Sequence, residues 1–209
     1  MFKITGKLRT LALCGVLAPI VYVIALVVGN ILDPSYSQVG KTVSELIERG
    51  APNRDLLNAI FIIYNILLIP FAIGLYSGLL KKAATTLITT ALIINSIIGV
   101  AWTLFFPLDV GGTSTSLTGM LHLIVGALVV PLIFLIELGF WSSTRKDDRW
   151  RRYGRFSLLI FAVTLVFGLM TVAFVNSDYR GLLERITTGS FLLWVEVLAL
   201  KLYSNNRKY

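Results

Sequence analysis

Six long apolar runs fill most of the 209-residue chain and leave nearly all of its charge to the segments between them. The runs cover roughly 11–32, 58–80, 84–107, 119–141, 156–176 and 187–203. Each approaches or exceeds the ~20 apolar residues that carry a helix across a bilayer core. With 56% hydrophobic and 14% charged residues the chain is too apolar for a soluble domain, and no loop is long enough to hold a core of its own. Backbone groups in hydrocarbon must be bonded within their own segment, so each run is expected to be helical. The expected fold class is all-α: a polytopic membrane protein, with one integral-membrane domain over 1–209 forming a six-transmembrane-helix up-and-down bundle. The basic, then apolar, start (Lys3, Lys7, Arg9) has too long an apolar run and no small-residue cleavage site for a signal peptide, so it reads as the first span. The single cysteine, Cys14, lies within that span and excludes an internal disulfide.

Charge sets the orientation. Fourteen of the 19 Lys and Arg residues fall on one side: Lys3, Lys7, Arg9, Lys81, Lys82, six between Arg145 and Arg155, Lys201, Arg207 and Lys208. The other five, Lys41, Arg49, Arg54, Arg180 and Arg185, fall opposite. The positive-inside rule then places both termini in the cytoplasm of a multi-pass cell-membrane protein. The net charge of +8 is therefore a topology signal with contact to anionic lipid heads, not a nucleic-acid signature. Pro19, Pro70 and Pro131 fall inside spans and shape the bundle.

The outer loops carry the polar chemistry. In the first, Thr42-Val-Ser-Glu45 is a capping-box pattern and Gly50 and Pro52 are stop signals, predicting a short outer amphipathic helix over 43–49 with Val43, Leu46 and Ile47 facing down. In the second, Asp109 follows the C-terminal end of span three, where the helix dipole disfavours an anion, so Arg185 or a protonated His122 is its expected partner. His122, the only histidine, lies about one turn into span four. In the third, Glu184 and Arg185 lead into span six and are candidates for an ion pair or for a shared site. Glu45, Asp109, His122 and Arg185 are expected to converge at one depth.

Three strings carry a family resemblance: Thr42-Val-Ser-Glu-Leu-Ile-Glu-Arg-Gly-Ala-Pro-Asn53, Phe106-Pro-Leu-Asp109 with His122, and Gly181-Leu-Leu-Glu-Arg185. Together they resemble the archaeal and bacterial membrane family catalogued as domain of unknown function nine-nine-eight, over the whole chain. The resemblance implies six spans, an outer polar cluster and no established activity. It carries over Ser44, Glu45, Gly50, Pro52, Asp109, His122, Glu184 and Arg185. A fainter likeness runs to the eukaryotic family that contains a GPI-anchor remodelling factor.

Two acids fall inside spans, where a carboxylate costs at least a few kcal/mol. Glu137 lies about 60° around the helix from His122, and Glu196 about 20° from Arg185, so each shares a stripe with an outer polar residue. Glu137 is near the cytoplasmic end and is expected to reach for the interface or to be protonated. Glu196 is deeper, with Asn65 and Asn95 as possible partners.

Three function classes follow. A binding or organising protein for a lipid or membrane partner needs only a stable outer polar pocket, with Ser44, Glu45, Asp109, His122, Glu184 and Arg185 as ligand contacts. A membrane hydrolase or transferase acting on a lipid or lipid-linked substrate would use His122 as general base or acid, oriented by Asp109 or Glu45, with Arg185 on an anionic head group. A proton-coupled carrier would use Glu137 and Glu196. There is no GxSxG, no HExxH and only one histidine, so no metal or other cofactor is expected. The expected partners are membrane lipids, with nucleic acid excluded and a protein partner left open.

Overall fold

The computed structural model describes residues 6–80 and 82–204. It contains six helices long and apolar enough to cross a membrane: α1 Gly6–Leu32, α2 Arg54–Gly78, α3 Ala83–Phe105, α4 Leu117–Thr144, α5 Arg151–Ala173 and α6 Arg180–Ser204. Each packs against its neighbours in sequence, α6 returns to α1 to close the ring, and α2 and α6 also touch each other. The chain is thus a six-helix membrane bundle. Among the basic residues on which the expected orientation rests, Lys3, Lys81, Arg207 and Lys208 lie outside the described residues.

The helices overrun the apolar windows. α2 starts at Arg54 rather than near 58, α5 at Arg151 rather than 156, and α6 at Arg180 rather than 187. Polar residues continue a helix past the hydrocarbon boundary because their side chains can be solvated there while the backbone ladder stays intact. The overrun of α6 matters most, since its first turns carry Arg180, Glu184 and Arg185.

The core is asymmetric. On the half of the bundle near the chain termini, Phe71, Phe140, Trp150, Trp194 and Leu198 are fully covered. Phe140 meets Trp194 edge-on at 5.5 Å and Trp150 at 5.9 Å, and the Trp150 indole N–H donates to the Gly78 carbonyl at 3.2 Å. The opposite halves of α3, α4 and α5 differ: none of residues 97–105, 123–135 or 165–173 is fully buried. The outward flanks carry bare apolar side chains such as Leu17, Val23, Leu128 and Leu169, the inverse of a soluble surface and suited to lipid.

The intramembrane acids separate. Glu137 does not reach the interface. It is fully buried, its carboxylate accepts from the Thr164 hydroxyl of α5 at 3.1 Å, and its own backbone carbonyl accepts from Ser157, which in turn accepts from the Trp194 indole. Packing by α5 and α6 closes the route that a snorkelling side chain needs. Glu196 is half-buried, flanked along α6 by the exposed Leu193 and Leu200. Among the described residues it has no bond to Asn65 or Asn95; Asn65 instead donates to its own helix at the Phe61 carbonyl.

Candidate functional site

At the end of the bundle opposite the termini, residues 33–53 fold over the helix ends as a cap. Its centre is a 3-10 helix, Val43–Ile47, shorter and tighter than the helix expected over 43–49. The Glu45 amide bonds back to the Thr42 carbonyl at 3.1 Å, and the Arg49 amide donates to the Leu108 carbonyl at 2.8 Å instead of into the helix, so the segment stops before 49. The capping box starts it as expected: Glu45 Oε2 accepts from both the Thr42 amide (2.6 Å) and the Thr42 hydroxyl (2.8 Å). Val43 and Leu46 are buried beneath it, Ile47 packs against the core, and Gly50 ends the segment with φ +83°.

The first turns of α6 hold one side of this cap. Glu45 Oε1 accepts from Arg180 at 2.9 Å, so the cation that pairs with it is Arg180. Glu184 and Arg185 form no ion pair with each other among the described residues. Glu184 accepts the Val43 amide at 3.0 Å; Arg185 donates to the Lys41 carbonyl at 2.7 Å and to the Tyr36 hydroxyl at 2.6 Å. Tyr36, whose phenol is pushed up by burial, donates in turn to the Thr42 carbonyl. The close approach requires Gly181: a Cβ there would collide with the Lys41 carbonyl.

The loop between α3 and α4 holds the other side. Gly111 and Gly112 take φ of +73° and +70°. That backbone turns both amides toward Glu48, whose carboxylate accepts them at 3.0 and 2.8 Å. Two successive amides in such a turn form an anion cradle. Asp109 finds neither Arg185 nor His122. It accepts from the Ser116 hydroxyl (2.6 Å) and amide (2.7 Å), with Arg49 3.8 Å away. The loop has carried it from the negative end of α3 to the positive start of α4, which Ser116 caps. Those two bonds to Ser116, then Arg49, hold its carboxyl below the usual carboxylate range.

His122 ties α4 to the cap. One ring nitrogen, Nδ1, is 2.6 Å from the Phe106 carbonyl, and the other, Nε2, is 3.0 Å from Ser44 Oγ. The Trp102 ring lies 4.8 Å from the imidazole. The group orienting His122 is thus a backbone carbonyl, not Asp109 or Glu45. All six sequence-derived positions contact the cap or its supporting loop, yet no hydrogen bond or ion pair joins any two of Glu45, Asp109, His122 and Arg185 among the described residues. They form a chain of separate ties rather than one convergent cluster.

Beside the ties is a cavity of about 190 Å³, walled by Asp33, Tyr36, Lys41, Glu45, Glu48 and Arg49 and floored by Gly29, Leu46 and Leu57. Of the residues carried over by the resemblance, Glu45, Gly50 and Pro52 line it, and Ser44, Asp109, His122, Glu184 and Arg185 do not. Tyr36, Glu48, Arg49, Arg180 and Ser116 were not legible as site residues. The Gly111-Gly112 pair was the one local signal, since adjacent glycines permit an anion cradle. No group of three His, Cys, Asp or Glu side chains is placed to hold a metal ion among the described residues.

A family model described as "Protein of unknown function (DUF998)" matches residues 16–201, a span that includes the whole cap. No curated protein and no solved structure matches the chain.

Proposed function

The chain belongs to the DUF998 family, whose description assigns no reaction, and from that premise we propose that its cap faces outward and binds the polar head group of a membrane lipid. The cavity carries the reading. At about 190 Å³ it is smaller than the ~300–1,000 Å³ typical of whole-ligand pockets, which suits a head group whose chains stay in the bilayer. Its walls bring carboxylates (Asp33, Glu45, Glu48) and cations (Lys41, Arg49) to one space, which suits a zwitterionic or polyhydroxyl head more than a simple anion. Beside it, Ile31 and Leu32 at the end of α1 and Leu56 at the start of α2 are bare apolar side chains that would meet the lipid chains. The outward orientation follows from the basic residues clustered on the termini side.

Glu45 and Glu48 are already held by Arg180 and by the glycine amides, so the cavity wall is pre-formed. Pre-organisation of this kind lowers the ordering cost of binding. Native mass spectrometry of the detergent-purified protein should show a retained lipid enriched in one head-group class. Lys41→Ala, which removes an exposed cation and leaves in place the Lys41 backbone carbonyl that Arg185 holds, should reduce that retention. Lipid retained in the same proportions as in the bulk membrane, unchanged by Lys41→Ala, would overturn the reading.

A further inference from the structure

We infer that Ser44 and His122 form a nucleophile–base dyad that transfers the acyl group of a membrane-borne carboxylic ester, an activity separate from the head-group cavity. A carbonyl oxygen can only accept, so the 2.6 Å contact to Phe106 requires the proton of a neutral ring to sit on Nδ1. Nε2 then presents its lone pair to Ser44 Oγ at 3.0 Å and accepts the hydroxyl proton. Nucleophile, base and a third group that fixes the base are the three parts of an activated serine, recognised by geometry and not by sequence position. Ser44 Oγ makes no other hydrogen bond among the described residues and the residue is only half-buried, while His122 is buried.

A second observation points to the substrate. Below His122, the α4 stripe runs through Gly126, Val129 and Ile133, and no residue from 123 to 135 is fully covered. Residues 97–105 of α3 and 165–173 of α5 are equally loosely covered. These turns present half-covered and exposed side chains over about 20 Å below the dyad, by the rise of 1.5 Å per residue. Trp102 lies against the imidazole, and its buried indole N–H has no partner among the described residues. An acyl chain lying in the bilayer along this half-covered flank would bring its ester to Ser44, with the indole N–H as a spare donor for the substrate. A carbonyl orients the base but stabilises an imidazolium less than a carboxylate does, so an ester, with its better leaving group, suits the dyad more than an amide.

In the first half-reaction Ser44 Oγ bonds to the acyl carbon as His122 Nε2 takes the hydroxyl proton. The tetrahedral adduct expels the alcohol, which leaves with that proton, giving acyl-Ser44. Water then attacks the acyl carbon, its proton passing to Nε2 and on to Ser44 Oγ as the carboxylic acid departs.

The test is labelling of the full-length protein in detergent with an alkyl fluorophosphonate, whose phosphorus is attacked by an activated serine with loss of fluoride. Peptide mapping should place the adduct on Ser44, heat denaturation should prevent it, and Ser44→Ala should abolish it. His122→Gln, which keeps a hydrogen-bonding side chain at 122, should slow labelling at least ~100-fold with the gel-filtration profile unchanged. No adduct on the folded wild-type protein, an adduct at another serine, or labelling equally fast after denaturation would each overturn the dyad without recourse to any variant. An adduct on Ser44 in protein that retains no lipid would leave the dyad standing and count against the cavity reading alone.

Discussion

Replacing Arg180 with alanine should loosen the cap by about 2 kcal/mol. The Glu45 side chain is 5% exposed and its Oε1 is held by Arg180 at 2.9 Å, while Oε2 is held by Thr42. Removing one partner of a fully buried pair costs about 3–5 kcal/mol, because the other charge is left unpaired in a poor solvent. Arg180 is 29% exposed, so water can reach the vacated place, and Thr42 still serves the second oxygen. These two facts bring the expected loss down to about 2 kcal/mol, or about 30-fold in the local opening equilibrium at 1.4 kcal/mol per decade. Hydrogen exchange read by mass spectrometry should show the 42–48 peptide exchanging about 30-fold faster, with peptides from the Phe71–Trp194 core unchanged. Glu45→Gln introduced into the Arg180→Ala background should recover part of the protection by removing the stranded charge. Unchanged exchange at 42–48, or an equal acceleration throughout the bundle, would refute the view that this pair clamps the cap locally.

Other outcomes follow from the same geometry. Gly112→Ala should destabilise the α3–α4 loop by about 1 kcal/mol or more, since alanine is strained at φ +70° and its Cβ would lie 2.9 Å from the Glu45 carboxyl carbon; faster protease cleavage between 106 and 118 reads it. Asp109 is held below its ordinary value in the folded state, so its stabilisation is present above the unfolded value of about 4 and is lost as pH falls through the folded value. Pepsin cleavage of that loop should therefore rise as pH drops below about 4, and Asp109→Asn should be cleaved readily before the drop. For orientation, a cysteine at Ser114 should react with an impermeant maleimide on intact cells and one at Ser143 should not, in a Cys14→Ala background; the reverse pattern would invert the cap.

The frame was legible because it depends on a one-dimensional quantity. Some 20 consecutive apolar residues report a span whatever their neighbours. The cap was only half legible. Glu45 announced its bond to Thr42 through local spacing, but its cation could not be read. Arg180 and Arg185 are both basic and both lie at the start of span six, on faces about 140° apart around the helix. That choice depends on where α6 begins, and the polar overrun hides it. Asp109 was misread because proximity in sequence to α3 suggested an unfavourable dipole, whereas the loop delivers it to α4. The Ser44–His122 contact joins residues 78 apart and leaves no periodic trace.

The most direct test of the cap as a lipid site is photocrosslinking. A phospholipid carrying a photoreactive group on its head, reconstituted with the full chain in nanodiscs, should crosslink within 33–53, at residues lining the cavity. Lys41→Ala should reduce those crosslinks relative to crosslinks on the bare flanks of the helices. Crosslinks distributed over the helix flanks, with none in 33–53, would contradict the account.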